Sequence, residues 1–309
     1  MGRNVIAGLA ATCALVALGQ AYVASIPLLT VRAQAATSPP PTGRAATPGE
    51  TLSRPVAIDI VKGADGWLFP GWDYLVDERQ NQTAQAVLQA VKMAGEAKAR
   101  GSRVILLLVP DKARVHVDLL PADRAAWTRH HSAGFEQLAE TLRAKGLEVE
   151  TAWPAFSPRD AHWTGESGEA VARQLAAKLA DVARPNGPAL PVPRWIDEKR
   201  YGDLANLARS RGDLSLPEDV FKRRDYVAPI AGEPVIEVVG NSFIDTYYGL
   251  PQELSRQLHI PVTRRVRQSA PGPWQAMRDY ITAGKNRPVI VWQLQETSFS
   301  NFGPDALQP

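Results

Sequence analysis

Cysteine is almost absent from this chain. Among its 309 residues only Cys13 carries a thiol, and it lies in an apolar N-terminal stretch. The rest of the sequence therefore has no disulfide, no thiolate nucleophile and no cysteine metal site. The chain also lacks a large excess of charge of either sign, since its formal net charge is +3. That charge, without any zinc-finger or RNA-binding motif, argues against nucleic acid as a partner.

Histidine is scarce as well, and its spacing excludes an obvious metal site. The chain has five histidines, and none of them stands with a second histidine or with carboxylates at convincing metal-ligand spacing. No cofactor motif stands out either. We therefore predict no metal and no cofactor, so any chemistry must come from side chains.

The N-terminus carries the only long hydrophobic run. Arg3 supplies a positive start, and residues 5–31 are largely apolar, so we interpret residues 1–35 as an export signal or membrane anchor. Ala33-Gln34-Ala35 offers a cleavage site, but Arg32 and the length of the run favour an uncleaved anchor. We predict a periplasmic protein held at the inner membrane.

The rest of the chain divides into a linker and one domain. Residues 36–55 are rich in proline and alanine and predict an extended linker. Residues 56–309 predict a single folded domain. Within it, residues 184–232 interrupt the regular pattern with proline, arginine and aspartate. We interpret this insertion as a partly helical lid or acceptor-binding wall, or as a surface excursion without a role.

Strand and helix signals alternate along the domain. Continuous apolar runs predict buried strands, and apolar spacing of three and four residues predicts helices. The predicted strands are 104–109, 147–152, 235–239, 261–266 and 289–294, and the predicted helices are 83–100, 135–145, 165–182, 245–258 and 274–283. This alternation predicts an α/β fold, with a mostly parallel sheet flanked by helices.

Two short motifs carry nucleophile chemistry. Gly240-Asn241-Ser242 follows an apolar strand and precedes a helical pattern, which predicts a serine hydroxyl at the carboxyl end of a strand. Asp160 and His162 stand two residues apart, so the carboxylate can orient the imidazole while its other nitrogen faces a serine. Taken alone, Ser242 is equally interpreted as a helix N-cap, and the Asp–His pair as an ordinary surface loop.

Six stretches, in order, resemble one family. They are Asp65-Gly66-Trp67-Leu68-Phe69, Pro110-Asp111-Lys112-Ala113-Arg114-Val115 with Leu120-Pro121, Asp160-Ala161-His162-Trp163-Thr164, Gly202-Asp203-Leu204, Gly240-Asn241-Ser242-Phe243, and Val289-Ile290-Val291-Trp292 with Glu296. The chain resembles the alginate O-acetyltransferases, a branch of the SGNH hydrolase superfamily. The resemblance implies an SGNH hydrolase-like fold with circularly permuted motif order, because the serine follows the Asp–His pair.

The resemblance also implies roles for individual residues. Ser242 matches the nucleophile, His162 its base and Asp160 the residue that orients the base. Asn241 stands where relatives often carry aspartate, and its amide either orders the turn or donates a hydrogen bond to an oxyanion. The hydroxyl of Tyr248 is a second candidate donor to the oxyanion.

Two further features concern the substrate and the family pattern. Trp163 and Trp72 lie beside motifs and are candidate sugar-stacking surfaces, although core packing is the alternative for each. Glu296-Thr297 departs from the Glu-Arg of the family, which leaves no arginine at that place.

The predicted function follows from this resemblance. We expect an exported serine-dependent O-acetyltransferase that acetylates an exopolysaccharide such as alginate or cellulose through an acetyl-serine intermediate. By analogy, its partners are a membrane-bound O-acyltransferase that supplies acetyl groups, and other exopolysaccharide biosynthesis proteins. The alternatives are a polysaccharide acetyl esterase and a non-catalytic polysaccharide-binding subunit of a secretion complex.

Overall fold

The computed structural model describes residues 60–73, 80–131, 133–226, 230–268, 271–300 and residue 302. The predicted anchor segment (1–35) and linker (36–55) lie outside the described residues. Within the described ranges, no helix combines the length and the apolar character needed to cross a membrane.

The described residues form strands and helices in alternation. The strands are β1 (Ile60–Lys62), β2 (Leu68–Pro70), β3 (Arg103–Val109), β4 (Glu148–Thr151), β5 (Trp195–Arg200), β6 (Asp219–Arg224), β7 (Ile236–Gly240), β8 (Val262–Val266) and β9 (Val289–Gln295). The helices are α1 (Gln80–Ala99), α2 (Lys112–Val115), α3 (Ala122–His130), α4 (Gly134–Ala144), α5 (Gly165–Lys178), α6 (Asp203–Ser210), α7 (Leu250–Leu258), α8 (Gly272–Thr282) and α9 (Glu296–Ser300).

Five strands form one parallel sheet in the order β4-β3-β9-β7-β8. The long apolar runs in β3 and β9 explain their central positions, because a strand covered on both faces has no polar side to present. Their register pairs Arg103 with Val289 and Val109 with Gln295. The predicted parallel sheet is confirmed, and it brings the carboxyl ends of β3, β7 and β9 to one edge.

Helices cover both faces of this sheet. In β3 the side chains alternate between faces, so Leu106 belongs to one core cluster and Leu107 to the other. The first cluster packs against α1, α4 and α8, and the second packs against α5 and α7. The SGNH-like layering of helix, sheet and helix follows from this division.

The insertion (184–232) is only partly helical. Strands β5 and β6 pair as an antiparallel ribbon, and α6 lies between them in the chain. The two strands were not predicted, because charged residues occupy most of their positions. The ribbon buries Phe221 on one face and exposes Val220 on the other, which is the alternation of a half-covered ribbon.

The helix predicted over 245–258 begins later than expected. Two 3₁₀ turns, Ser242–Ile244 and Thr246–Tyr248, come first, and α7 starts only at Leu250. Gly249 adopts a φ of 75°, a left-handed conformation that favours glycine and ends the preceding turn. Pro251 then opens the new helix, where its missing N–H has no cost.

Candidate active site

The serine lies at the carboxyl end of β7, between β8 and β9 in the parallel sheet. Gly240 permits this placement, because a Cβ there would lie 2.6 Å from Oε1 and 3.1 Å from Cβ of Gln293 on β9. Ser242 then begins a 3₁₀ turn, not the α-helix that the sequence indicated. Its backbone N–H still stands at the start of a helical turn.

A closed loop presents the histidine to this serine. Phe156 and Trp163 pair as an antiparallel bridge that closes the loop. After the loop, the Thr164 side chain accepts a hydrogen bond from the Ser167 N–H at 3.2 Å and caps α5. Both ends of the loop are therefore tied to regular structure, which limits its freedom.

Asp160, His162 and Ser242 form a continuous hydrogen-bonded chain. His162 Nδ1 lies 2.6 Å from Asp160 Oδ1, and His162 Nε2 lies 2.7 Å from Ser242 Oγ. An ionised carboxylate only accepts hydrogen bonds, so Nδ1 carries the proton and Nε2 is free to take one from the serine. The sequence singled out these three residues, and the fold brings His162 and Ser242 together although 80 positions separate them in the chain.

The Asp160 carboxylate is buried and fully engaged. Its Oδ1 also accepts the His162 backbone N–H at 3.0 Å, and its Oδ2 accepts the Asp203 N–H at 3.2 Å. Burial by itself raises the pKa of Asp160, but the hydrogen bonds and charge of His162, with the charge of Arg200, outweigh it and lower the pKa to about 2. The carboxylate is therefore ionised at neutral pH.

The insertion supplies part of this environment. Arg200 places Nη2 3.5 Å from Asp160 Oδ2, and its guanidinium lies over the rings of Phe221 and Tyr247. Asp203 accepts the Ala161 N–H at 2.6 Å, which joins α6 to the loop closed by the Phe156–Trp163 bridge, here called the catalytic loop (156–163). Sequence reasoning missed Arg200. The strand that contains Arg200 is mostly charged, so no single arginine stands out in it. The aromatic rings that contact Arg200 come from distant parts of the sequence.

Tyr248 and Asn241 support the site in different ways. The Tyr248 ring stacks on His162 with centroids 4.9 Å apart, and its hydroxyl interacts with Arg200. The Asn241 side chain accepts the Phe243 N–H at 3.2 Å and donates to Gln295 at 3.3 Å. The Asn241 amide thus orders the turn, and the Tyr248 ring packs against the imidazole. A role for either side chain as donor to the oxyanion stays a prediction.

The two candidate tryptophans differ in exposure. Trp163 is 0% exposed and meets Phe243 edge-to-face at 5.2 Å. The interpretation of Trp163 as a sugar-stacking surface is therefore corrected to core packing beneath the catalytic loop. Trp72 is 42% exposed and keeps a face open to solvent, so its assignment to the acceptor stays a prediction.

A carboxylate cluster lies at the same edge of the sheet. Glu296 follows β9 and accepts hydrogen bonds from Arg114 through both carboxylate oxygens. The arginine that pairs with this glutamate therefore comes from α2. Asp111 follows β3 and accepts the Thr297 N–H at 3.2 Å, but within the described ranges its Oδ2 has no partner. Burial, reinforced by the charges of Asp73 and Glu296, raises the pKa of Asp111 well above its ordinary value.

Replacing Asp111 by asparagine tests this environment. Because burial makes the pKa of Asp111 higher in the folded protein than in the unfolded chain, where it is about 4, ionisation of this carboxyl lowers stability as the pH rises above that value. Asparagine keeps the acceptor for Thr297 and does not ionise. We expect Asp111→Asn to raise the melting temperature more at pH 8 than at pH 5, and exposed Asp197→Asn to show no such difference. Equal shifts at both pH values would contradict a raised pKa of Asp111.

The triad geometry favours nucleophilic catalysis over metal binding. Asp160, His162 and Asp203 each bring a potential ligand atom within 4.8 Å of the others. The 2.6 Å hydrogen bond between Asp160 and His162 leaves no space for an ion between them, because a zinc ion needs about 2 Å to each ligand. The positive charge of Arg200 beside Asp160 opposes a cation further.

Comparisons with known proteins match this chain to SGNH hydrolase-like acetyltransferases. A model described as the SGNH hydrolase-like domain of the acetyltransferase AlgX matches residues 60–296. A probable alginate O-acetylase AlgJ from Pseudomonas syringae pv. tomato is 25% identical over 273 residues, covering 77% of this chain and 68% of the relative. Its counterpart from Pseudomonas putida is 26% identical over 281 residues, covering 79% and 73%.

A solved structure shares the fold. The O-acetyltransferase domain of Pseudomonas putida AlgJ superimposes with a TM-score of 0.64 at 19% identity, and the match covers 82% of this chain and 96% of that domain. Since the family model also spans most of the chain, from the first described strand to Glu296, the chain belongs to the family of SGNH hydrolase-like acetyltransferase domains represented by AlgX.

Proposed function

We propose that this protein is a serine-dependent O-acetyltransferase that acetylates hydroxyl groups of an exopolysaccharide through an acetyl-Ser242 intermediate. The observation that carries this proposal is the unbroken chain of 2.6 Å and 2.7 Å contacts from Asp160 through His162 to Ser242. Such a chain raises the nucleophilicity of a serine that is otherwise protonated at neutral pH.

Two half-reactions follow from the geometry. His162 Nε2 takes the proton of Ser242 as the oxygen attacks the acetyl carbonyl, and the leaving group receives that proton as acetyl-serine forms. The backbone N–H of Ser242, at the start of its 3₁₀ turn, is our candidate donor to the oxyanion. A sugar hydroxyl, deprotonated by His162, then attacks the acetyl carbon, the bond from the acetyl carbon to Ser242 Oγ breaks, and His162 returns the proton to Ser242.

The acceptor, donor and location belong to the same proposal. Two relatives are named probable alginate O-acetylases, so we propose an alginate-like exopolysaccharide as acceptor, with cellulose among the alternatives. We further propose that residues 1–35 hold the domain at the periplasmic face of the inner membrane. There, a membrane-bound O-acyltransferase provides the acetyl group, and other exopolysaccharide biosynthesis proteins deliver the polymer.

Hydrolysis is the second candidate reaction. Ser242 and His162 are partly exposed, so water can reach the acetyl carbon and turn the same site into an acetyl esterase. A non-catalytic polysaccharide-binding subunit is disfavoured, because such a role does not require the hydrogen-bonded arrangement of Asp160, His162 and Ser242.

One experiment separates these functions. The purified protein is incubated with p-nitrophenyl acetate and with alginate or cellulose oligosaccharides, and nitrophenol release is measured beside mass spectrometry of the sugars. We expect nitrophenol release with acetylated oligosaccharide. Nitrophenol release without acetylated sugar in every mixture would favour the esterase. No nitrophenol release at all would contradict an acetyl-serine enzyme. Ser242→Ala is the control in each mixture.

A further inference from the structure

A buried lysine lies beneath the catalytic loop and has no part in the acetyl chemistry. Lys112 follows β3 at the start of α2 and is 1% exposed. Its Nζ lies within hydrogen-bond distance of four backbone carbonyls, at 2.6 Å from Leu68, 2.7 Å from Ser157, 2.9 Å from Pro158 and 2.9 Å from Asp160. Three protons of one ammonium group are thus shared among four carbonyl oxygens.

Aromatic rings complete the surroundings of this cation. Nζ lies 5.0 Å from the ring centroid of Trp67 and 5.3 Å from that of Phe69, within the range of cation–π attraction. Within the described ranges, all hydrogen bonds of Nζ go to backbone carbonyls, and Asp73 and Asp160 act on it through their charges alone. We call the four carbonyls and two rings the lysine cage. The charge is held by backbone dipoles and π faces.

The cage is built around the catalytic loop. Three of its carbonyls belong to the turn 157–160, which ends at the triad carboxylate, and the fourth belongs to β2. Without a cation, carbonyl dipoles that converge on one point repel one another. The ammonium group reverses this repulsion and draws the turn against β2.

The energetics point to a role beyond packing. Burying an ammonium group carries a large desolvation penalty, and an apolar side chain of similar volume often fills such a site at lower cost. Burial lowers the pKa of Lys112 to about 7, against the opposing charges of Asp73 and Asp160. A buried charge at this point therefore indicates a role in fixing the backbone beside Asp160.

We propose that Lys112 is a positioning residue, whose ammonium group gathers the carbonyls of the turn 157–160 and thereby aims Asp160 at His162. The inference rests on the proposed function, since the geometry matters for acetyl transfer. A displacement of about 1 Å in a catalytic group can lower turnover by about 10²-fold. Loss of the lysine cage should therefore lower turnover strongly, although Lys112 does not touch the substrate.

Chemical rescue tests the proposal on the full chain. Lys112→Ala leaves a cavity lined by the four carbonyls, and Lys112→Met fills the same space without charge. We expect both variants to lose about 10²-fold in kcat for p-nitrophenyl acetate with little change in KM. We expect n-propylammonium to restore kcat several-fold in Lys112→Ala but not in Lys112→Met. Tetramethylammonium, which cannot donate a hydrogen bond, should restore neither. Exposed Lys178→Ala is the matched control.

The outcomes separate this inference from the function on which it rests. Wild-type kcat in folded Lys112→Met, or no rescue of folded Lys112→Ala, would overturn the proposal. Hydrogen exchange provides a readout independent of catalysis, and we expect faster exchange in Lys112→Met for the amides of 157–162 with the sheet unchanged. If the wild-type protein shows no turnover, the proposed function fails. Unchanged exchange in that segment would then overturn the positioning role separately.

Discussion

Replacing Ser242 by alanine is expected to abolish acetyl-ester turnover, with a loss of about 10⁴–10⁶-fold in kcat. The substitution removes the atom that carries the acetyl group and leaves the surrounding hydrogen bonds of Asp160 and His162 in place. The measurement is nitrophenol release from p-nitrophenyl acetate, with acetyl-enzyme detected by mass spectrometry in the wild-type protein only. Exposed Ser210→Ala should keep wild-type activity.

The other two triad residues should behave as members of one unit with Ser242. His162→Ala removes the base, and Asp160→Ala removes the partner that fixes the imidazole. We expect losses in the same range, with double variants little worse than single ones. Asp160→Ala should be the mildest, because Asp203 Oδ2 lies 3.6 Å from His162 Nδ1 and offers a second carboxylate.

Thermal stability separates a chemical defect from a folding defect in this series. Ser242→Ala should unfold within about 1 kcal/mol of the wild-type protein, because Ser242 provides little of the apolar core. Asp160→Ala and His162→Ala should each cost about 1–3 kcal/mol, because each removes one partner of a buried hydrogen-bonded pair. Ser242→Ala with more than about a tenth of wild-type turnover, or inactive only because it is unfolded, would contradict the assigned nucleophile.

Outside the triad, replacing Gly202 by alanine is expected to have a large effect on both activity and stability. A Cβ at this position would lie 2.2 Å from the carbonyl oxygen of Arg159 and 2.9 Å from Cβ of Asp160. Neither backbone can absorb such overlap without moving, so α6 must separate from the catalytic loop. We expect a loss of about 10²-fold in kcat and about 1–3 kcal/mol in the free energy of unfolding.

A second glycine provides the control for Gly202. Gly95 lies in α1, and a Cβ there would meet nothing within 4 Å. Gly95→Ala should keep full activity and gain about 0.5–1 kcal/mol in stability, since alanine restricts the unfolded chain and favours the helix. Full activity in Gly202→Ala would show that the insertion is not needed to hold Asp160.

The parallel sheet was predictable because its strands differ sharply from their surroundings. The apolar run of β3 is too continuous to be an exposed element, and it ends where turn residues begin. The ribbon of β5 and β6 gave no such signal, because it covers the core with one face only. Its hydrophobic positions, such as Phe221, are too few and too widely spaced to stand out.

The candidate site shows the same limit at the level of side chains. Asp160 and His162 were recognisable because two residues of spacing allow a local contact. Their meeting with Ser242 depends on the order of strands in the sheet, which local patterns do not specify, so the family resemblance was needed to join them. Arg200 was missed because its role is defined by Tyr247 and Asp160, which no sequence window contains together.

The order of strands in the sheet has a consequence for how the protein folds. β9 occupies the centre, between β3 and β7, yet it follows both in the chain. The register that joins Arg103 to Val289 closes a very long loop, and such distant pairings slow folding. Until β9 emerges from the ribosome, the Asp–His half and the serine half have no common strand between them. In a growing chain the two halves of the parallel sheet are therefore joined only when β9 inserts between them.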